Sequence, residues 1–219
     1  IRTKIHNLEG FNKMMDMRTN SSNNTVYADA QGNIAYYHGN FIPKRDVKFD
    51  YSKPVDGSNP STDWKGLHSL AEAIGVINPP NGWIQNCNST PFTSAGEFSP
   101  KKENYPSYMS RDEENFRSLH AIRLLKESVD MDLDKLIKLA YDPYLPAFEI
   151  LIPGLIRAYD QSEKEAALSA PIEILRNWDF AVSKESVAMT LAHYYGTNCL
   201  RVGDRSDDLK FIELVRYWS

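Results

Sequence analysis

The sequence predicts an α+β chain with few strands and a dominant helical part. Two observations carry this. Short runs of β-branched and aromatic residues, punctuated by Gly, Pro and Asn, are confined to residues 1–100. Beyond about residue 110, apolar residues instead recur at three- and four-residue spacing, the period of a helix face. The expected organisation is a β-rich segment over 1–100 followed by a helical subdomain over 101–219.

The elements follow in order. Leu8, Phe11, Met14 and Met15 share one face of a helix within 8–18. Thr25-Val26-Tyr27-Ala28 and Ile34-Ala35-Tyr36-Tyr37 are strand-like and flank Asp29-Ala30-Gln31-Gly32-Asn33. Gly32 and Asn33 supply the positive-φ positions that a hairpin loop needs. Residues 43–64 are rich in Pro, Gly, Asp and Ser and read as a loop. A loop-and-strand region over Asn78–Pro91 leads into a polar, proline-containing connection over 93–110.

Ser110 with Glu113 forms a capping box ahead of a helix carrying Phe116, Leu119, Ile122 and Leu125. Asp132 opens a short helix through Leu133, Leu136 and Ile137. Phe148, Leu151, Ile152, Leu155 and Ile156 make the clearest amphipathic stripe. Ser162 and Glu165 read as a second capping box, and Pro171 is expected to kink or restart the helix after it. Ser183 is expected to cap a last helix carrying Val187, Leu191 and Tyr194, closed by Gly196.

Composition excludes several functions. A chain of 219 residues with 42% hydrophobic residues can bury a core. Its formal charge of -4 gives no reason to expect a nucleic-acid or anionic-membrane partner. No apolar run approaches the ~20 residues of a membrane span, and the longest, around Ile150-Leu151-Ile152, stops at Pro153. Cys87 and Cys199 are too few for a disulfide-stapled scaffold. A Gly-rich phosphate loop, His-Glu-x-x-His and Cys-x-x-Cys are all missing, and His6, His38, His68, His120 and His193 lack metal-ligand spacing. No cofactor and no metal are expected. Ile1 at the start, and an apolar pattern still running at Tyr217-Trp218-Ser219, suggest an internal piece of a longer polypeptide.

One segment carries chemistry: Asn78-Pro79-Pro80-Asn81-Gly82-Trp83-Ile84-Gln85-Asn86-Cys87-Asn88-Ser89-Thr90-Pro91. A proline and glycine turn leads into a short extended run, then a cluster of amides and hydroxyls. Amide side chains donate hydrogen bonds without carrying charge, which suits them to stabilise negative charge developing in acyl transfer. Asparagines also populate turns for purely local reasons. Composition alone leaves both readings open.

The segment resembles the oxyanion loop of the penicillin acylase family, through Asn78, Pro79, Gly82, Trp83, Ile84, Asn86, Asn88 and Pro91. Gln85 and Asn86 look most like its cephalosporin and glutaryl acylase branch. Tyr27-Ala28-Asp29-x-x-Gly32-Asn33-Ile34-Ala35-Tyr36, with Gly39 and Pro43-Lys44-Arg45, is similar to a family hairpin. Asp63-Trp64-Lys65-Gly66 matches a further block. Arg117, six residues before Arg123-Leu124-Leu125, matches the family's arginine helix. Leu175-x-x-Trp178-Asp179 with Ser183 is a fainter echo.

The resemblance implies a piece of the large subunit of an N-terminal-nucleophile hydrolase, a four-layer αββα sandwich with a helical insertion. Such enzymes hydrolyse a non-peptide amide through an N-terminal Ser, Thr or Cys whose α-amine acts as base. Asn88 falls on the oxyanion asparagine, with Asn86 on the same short strand as the fallback. Arg117 falls on the arginine that orders the asparagine and nucleophile region. Cys87 between them is expected to face away and be inert. Since Ile1 cannot act as the nucleophile, this polypeptide alone is expected to be inactive. The implied substrate is an acylated β-lactam, a lipopeptide or an acyl-homoserine lactone. The implied partner is the remainder of the acylase, and the implied location is periplasmic or secreted. The alternatives are a non-catalytic binding relative and a helical interaction module.

Overall fold

The computed structural model describes residues 4–19, 23–39, 41–163 and 166–202. The chain folds as two compact units, Ile1–Glu114 and Asn115–Ser219.

In the first unit, helix α1 spans Leu8–Met15. Asn7 caps it by accepting from the Gly10 N–H at 2.9 Å. Strands β1 (Thr25–Ala28), β2 (Ile34–Tyr37) and β3 (Gly75–Ile77) form an antiparallel sheet in the order β1-β2-β3. Thr25 opposes Tyr37 and Ala28 opposes Ile34, so the two strand-like runs pair along their whole length. The central strand buries Ala35, Tyr36 and Tyr37, whereas edge strand β1 turns Val26 out and Tyr27 inward. Met14, Met15, Ala35 and Tyr37 form the core, with Phe11 against the Tyr27 ring at 4.6 Å between centroids.

Strand β3 lies just before Asn78, not within Asn78–Pro91 as the sequence suggests. Only glycine fits its first position, because a Cβ on Gly75 would lie 2.9 Å from the Tyr36 carbonyl oxygen. Residues 43–64 are irregular as expected, apart from a single 3-10 turn at Pro60–Thr62. Asp46, Asp50 and Asp56 each accept from the backbone N–H two residues on, so the Asp-rich composition builds three Asx-turns.

The second unit is helical: α2 (Phe116–Lys126), α3 (Leu133–Ala140), α4 (Phe148–Gln161), α5 (Ala166–Arg176) and α6 (Val187–Val202). Several expected boundaries change. Buried Asn115 caps α2 by accepting from the Ser118 N–H, in place of the Ser110–Glu113 box. Ser162 ends α4, donating to the Tyr159 carbonyl, and its expected partner Glu165 lies outside the described residues. Ser186, not Ser183, caps α6 by accepting from the Met189 N–H. Helix α5 continues through Pro171, and α4 through Pro153. Each proline is the sixth residue of its helix, where its ring forfeits one i→i−4 bond and leaves the flanking ladder in place. Asp132 caps α3 as expected.

Phe116, Phe148, Leu151, Ile152, Leu175, Trp178, Ala188 and Ala192 form the second core. Helix α3 buries no residue, leaving Leu133, Leu136 and Ile137 exposed. Gly196 does not close α6 but sits inside it, where an added Cβ would lie 3.4 Å from Phe148 Cε1. An alanine methyl just fits there and removes the helix penalty of glycine, roughly 1 kcal/mol. Valine would drive its γ-methyls into the ring, a cost of about 1–3 kcal/mol. Thermal melts are therefore expected to rise slightly for Gly196→Ala and fall for Gly196→Val. Equal melting temperatures for the two variants would contradict this close approach.

Candidate active site

The Asn78–Pro91 segment is held at both ends. Asn78 adopts a left-handed backbone, φ 47°. Its N–H donates to the Ile34 carbonyl and its Oδ1 accepts from the Ile34 N–H, both at 2.9 Å. Its Nδ2 donates to Asn33 Oδ1 at 2.9 Å, so the loop entrance is stitched to the hairpin. The hairpin turn is organised by Asp29, which accepts from Tyr27 OH and from the Gln31 and Asn33 backbone and side-chain donors at 2.8–3.1 Å. Loss of hydration opposes the Asp29 carboxylate, but the Asn33, Tyr27 and Gln31 bonds outweigh it and hold the carboxyl below its usual range. Gly32, at φ 85°, is the left-handed position of that turn, while Asn33 instead serves Asp29 and Asn78.

Further along, the Gly82 N–H donates to the Pro79 carbonyl and Asn81 Nδ2 to the Ala95 carbonyl, both at 3.0 Å. The buried Gln85 donates from its N–H to the Ser94 carbonyl at 2.8 Å. At the far end the Thr90 N–H donates to the Glu113 carbonyl, and Pro91 is buried. These bonds lead into neighbouring loop carbonyls, not into a strand ladder, which is why residues 83–90 form no strand.

The expectation that Asn86 and Asn88 share one face of a strand is therefore corrected. Asn88 turns the chain with φ 54°, and its side chain is exposed. Asn86 accepts from Asn24 Nδ2 at 3.2 Å, while Asn24 Oδ1 accepts from the Gly39 N–H. Cys87 is half-buried and not in a disulfide. Trp83 and Phe92 are half-buried, with the Phe92 ring 6.3 Å from Tyr105.

Two other sequence blocks meet each other. The Lys65 N–H donates to the Lys44 carbonyl and the Lys44 N–H to the Gly66 carbonyl, both at 2.9 Å, with Pro43 bridged to Leu67. Pro43-Lys44-Arg45 and Asp63-Trp64-Lys65-Gly66 are thus the two sides of one antiparallel contact.

In the second unit, Arg117 is the second residue of α2 and is exposed. The other arginine of that pattern, Arg123, lies over the Tyr144 ring at 4.5 Å and donates to Glu149 Oε1 at 2.9 Å. His120 meets Asp142 at 2.9 Å beside it. The hydrogen bond from Tyr144, with Arg123, holds the Glu149 carboxyl below its usual range. This network ties α2 to the segment leading into α4.

Of the histidines, His38 is buried, 3.2 Å from Tyr36 OH and 3.6 Å from Asp112. Burial pushes its pKa down and outweighs the nearby Asp112 carboxylate, which favours the charged ring. Among the described residues no group of His, Cys, Asp and Glu could hold a metal, and no helix is long and apolar enough to cross a membrane. Sequence reasoning missed Asn24 and the Thr93–Ser94 carbonyls as supports of the loop. The two carbonyls accept from Gln85 through the backbone, which leaves no residue-type signature, and Asn24 reaches Asn86 across a long stretch of sequence that no local pattern spans.

The fold and the Asn78–Pro91 loop define a class of protein: the chain belongs to the penicillin amidase family, whose model matches residues 2–213. It is similar to penicillin G acylase of Escherichia coli, 41% identical over 68 residues, which are 31% of this chain and 8% of that protein. Its fold is similar to that of a thermostable penicillin G acylase from Alcaligenes faecalis, with a TM-score of 0.67 at 19% identity. That match covers 94% of this chain and 37% of the other, so the chain spans well under half the length of that relative.

Proposed function

We propose that this chain is part of an amidase that hydrolyses a non-peptide C–N bond, with Asn88 donating to the oxyanion of the tetrahedral intermediate. The observation that carries the reading is the placement of Asn88: an exposed, left-handed residue in a loop anchored at Asn78, Gln85 and Thr90. An oxyanion donor needs this preorganisation, because it gains only if it does not reorganise as charge develops. Arg117 acts as a positioning residue, its planar fork ordering oxygens around the asparagine and nucleophile. The nucleophile is an N-terminal Ser, Thr or Cys in the rest of the parent protein, attacking an acylated β-lactam, a lipopeptide or an acyl-homoserine lactone. The parent is placed in the periplasm or outside the cell, as exported acylases are.

The test compares the 219-residue chain with the whole parent protein on chromogenic phenylacetyl, glutaryl and long-chain acyl amides. The parent is expected to release amine and the chain alone none. Hydrolysis by the chain alone would overturn the division of labour proposed here, and an inactive parent would favour a binding protein on the same fold.

A further inference from the structure

A concavity of about 370 Å³ lies in the first unit, lined by Arg45, Lys53, Arg111, Tyr51 and Tyr108 and by no residue of the Asn78–Pro91 loop. We infer that it binds a small molecule bearing an oxyanion, a carboxylate or a phosphate ester. This goes beyond the amidase reading and does not depend on it.

Four observations converge. Three cations face the concavity, and no carboxylate lines it, in a chain whose net charge is -4. The nearby carboxylates are already engaged. Asp46 pairs with Lys48 and Lys65 at 3.2 and 3.4 Å; Asp50 accepts from the Ser52 N–H and hydroxyl and sits 3.9 Å from Lys53, so it offsets part of that lysine's charge and leaves the two arginines as the main cations of the concavity. Arg45 and Arg111 have no ion-pair partner among the described residues.

The Arg45 guanidinium is held by ring faces, 4.8 Å above Tyr51 and 5.7 Å from Trp64. Stacking of this kind fixes the plane and leaves the in-plane N–H fork for a bidentate acceptor. The walls are fixed too. Tyr108 meets Tyr51 edge-on at 6.2 Å, and its hydroxyl is 2.9 Å from His68 Nε2. Finally, the Tyr51 hydroxyl is buried and makes no hydrogen bond. The volume exceeds that of a bare phosphate and sits at the lower end of small-molecule sites. Pro54 and Val55 in the lining offer contact to an apolar body.

Calorimetric or NMR titration of the 219-residue chain with inorganic phosphate, benzoate and phenyl phosphate, each against sodium chloride at equal ionic strength, tests this. At least one of the three is expected to saturate in about the millimolar range. The stronger of benzoate and phenyl phosphate identifies the oxyanion. Arg45→Gln is expected to weaken binding at least about tenfold. Because Arg45 also packs on two rings, the exposed pair Lys53→Gln with Arg111→Gln provides a second variant that leaves the fold intact, and it is expected to weaken binding similarly. Titrations indistinguishable from chloride, or binding unchanged in the double variant, would overturn the assignment.

Discussion

Replacing Asn88 by glycine in the whole parent enzyme is expected to lower kcat by about 10²–10³, with KM changed only a few-fold. Glycine is the informative replacement because Asn88 sits at φ 54°. Glycine keeps that backbone without strain, whereas alanine adds a left-handed penalty of roughly 1–2 kcal/mol that would mix a conformational loss with a chemical one. Asn88→Asp removes the donor and puts negative charge beside a developing oxyanion, so it is expected to be at least as damaging. Asn86→Ala gives the contrast, since its side-chain oxygen accepts from Asn24 in this structure. A selective fall in kcat follows from a bond made mainly in the transition state. If Asn88→Gly kept kcat within about threefold, the oxyanion role would have to move elsewhere.

Much of this site was visible in the sequence only through its pattern, and the reasons are physical. The hairpin was readable because the β-branched and aromatic runs Thr25–Ala28 and Ile34–Tyr37 and the glycine between them are local signals. Asp132 was readable as a cap because a single side chain reaches its own helix. Asn115 competed with a well-formed Ser110–Glu113 box, and what decided between them was burial of Asn115, which no local pattern encodes. Strand β3 has three residues, too few to display a period, and its reason for existing is the approach of Gly75 to the Tyr36 carbonyl across the sheet. Asn88 could be singled out only by resemblance. Its left-handed turn arises because Gln85 and Thr90 bond to carbonyls of other loops, and those bonds are invisible in a run that reads as extended.

The largest stability loss is expected at Phe148. The ring is 1% exposed, its centroid is 5.2 Å from that of Trp178, and Gly196 of α6 is packed close against it. It thus joins the start of α4 to the segment just after α5 and to α6. Phe148→Ala leaves a cavity walled by helix backbones that cannot all collapse, a cost of about 3–5 kcal/mol. Typical domains hold only about 5–15 kcal/mol in total, so the helical unit would lose a large share of its stability. Urea titration followed by circular dichroism is expected to show a lower midpoint at an unchanged slope for this unit. Ile137→Ser on α3 sets the scale, because that side chain is 49% exposed and its loss is expected to shift stability by no more than about 0.5 kcal/mol. Phe148→Leu keeps most of the volume and is expected to recover most of the loss. A Phe148→Ala cost below about 1 kcal/mol would mean that α6 is not held at Gly196 and that the helical unit is organised around another contact.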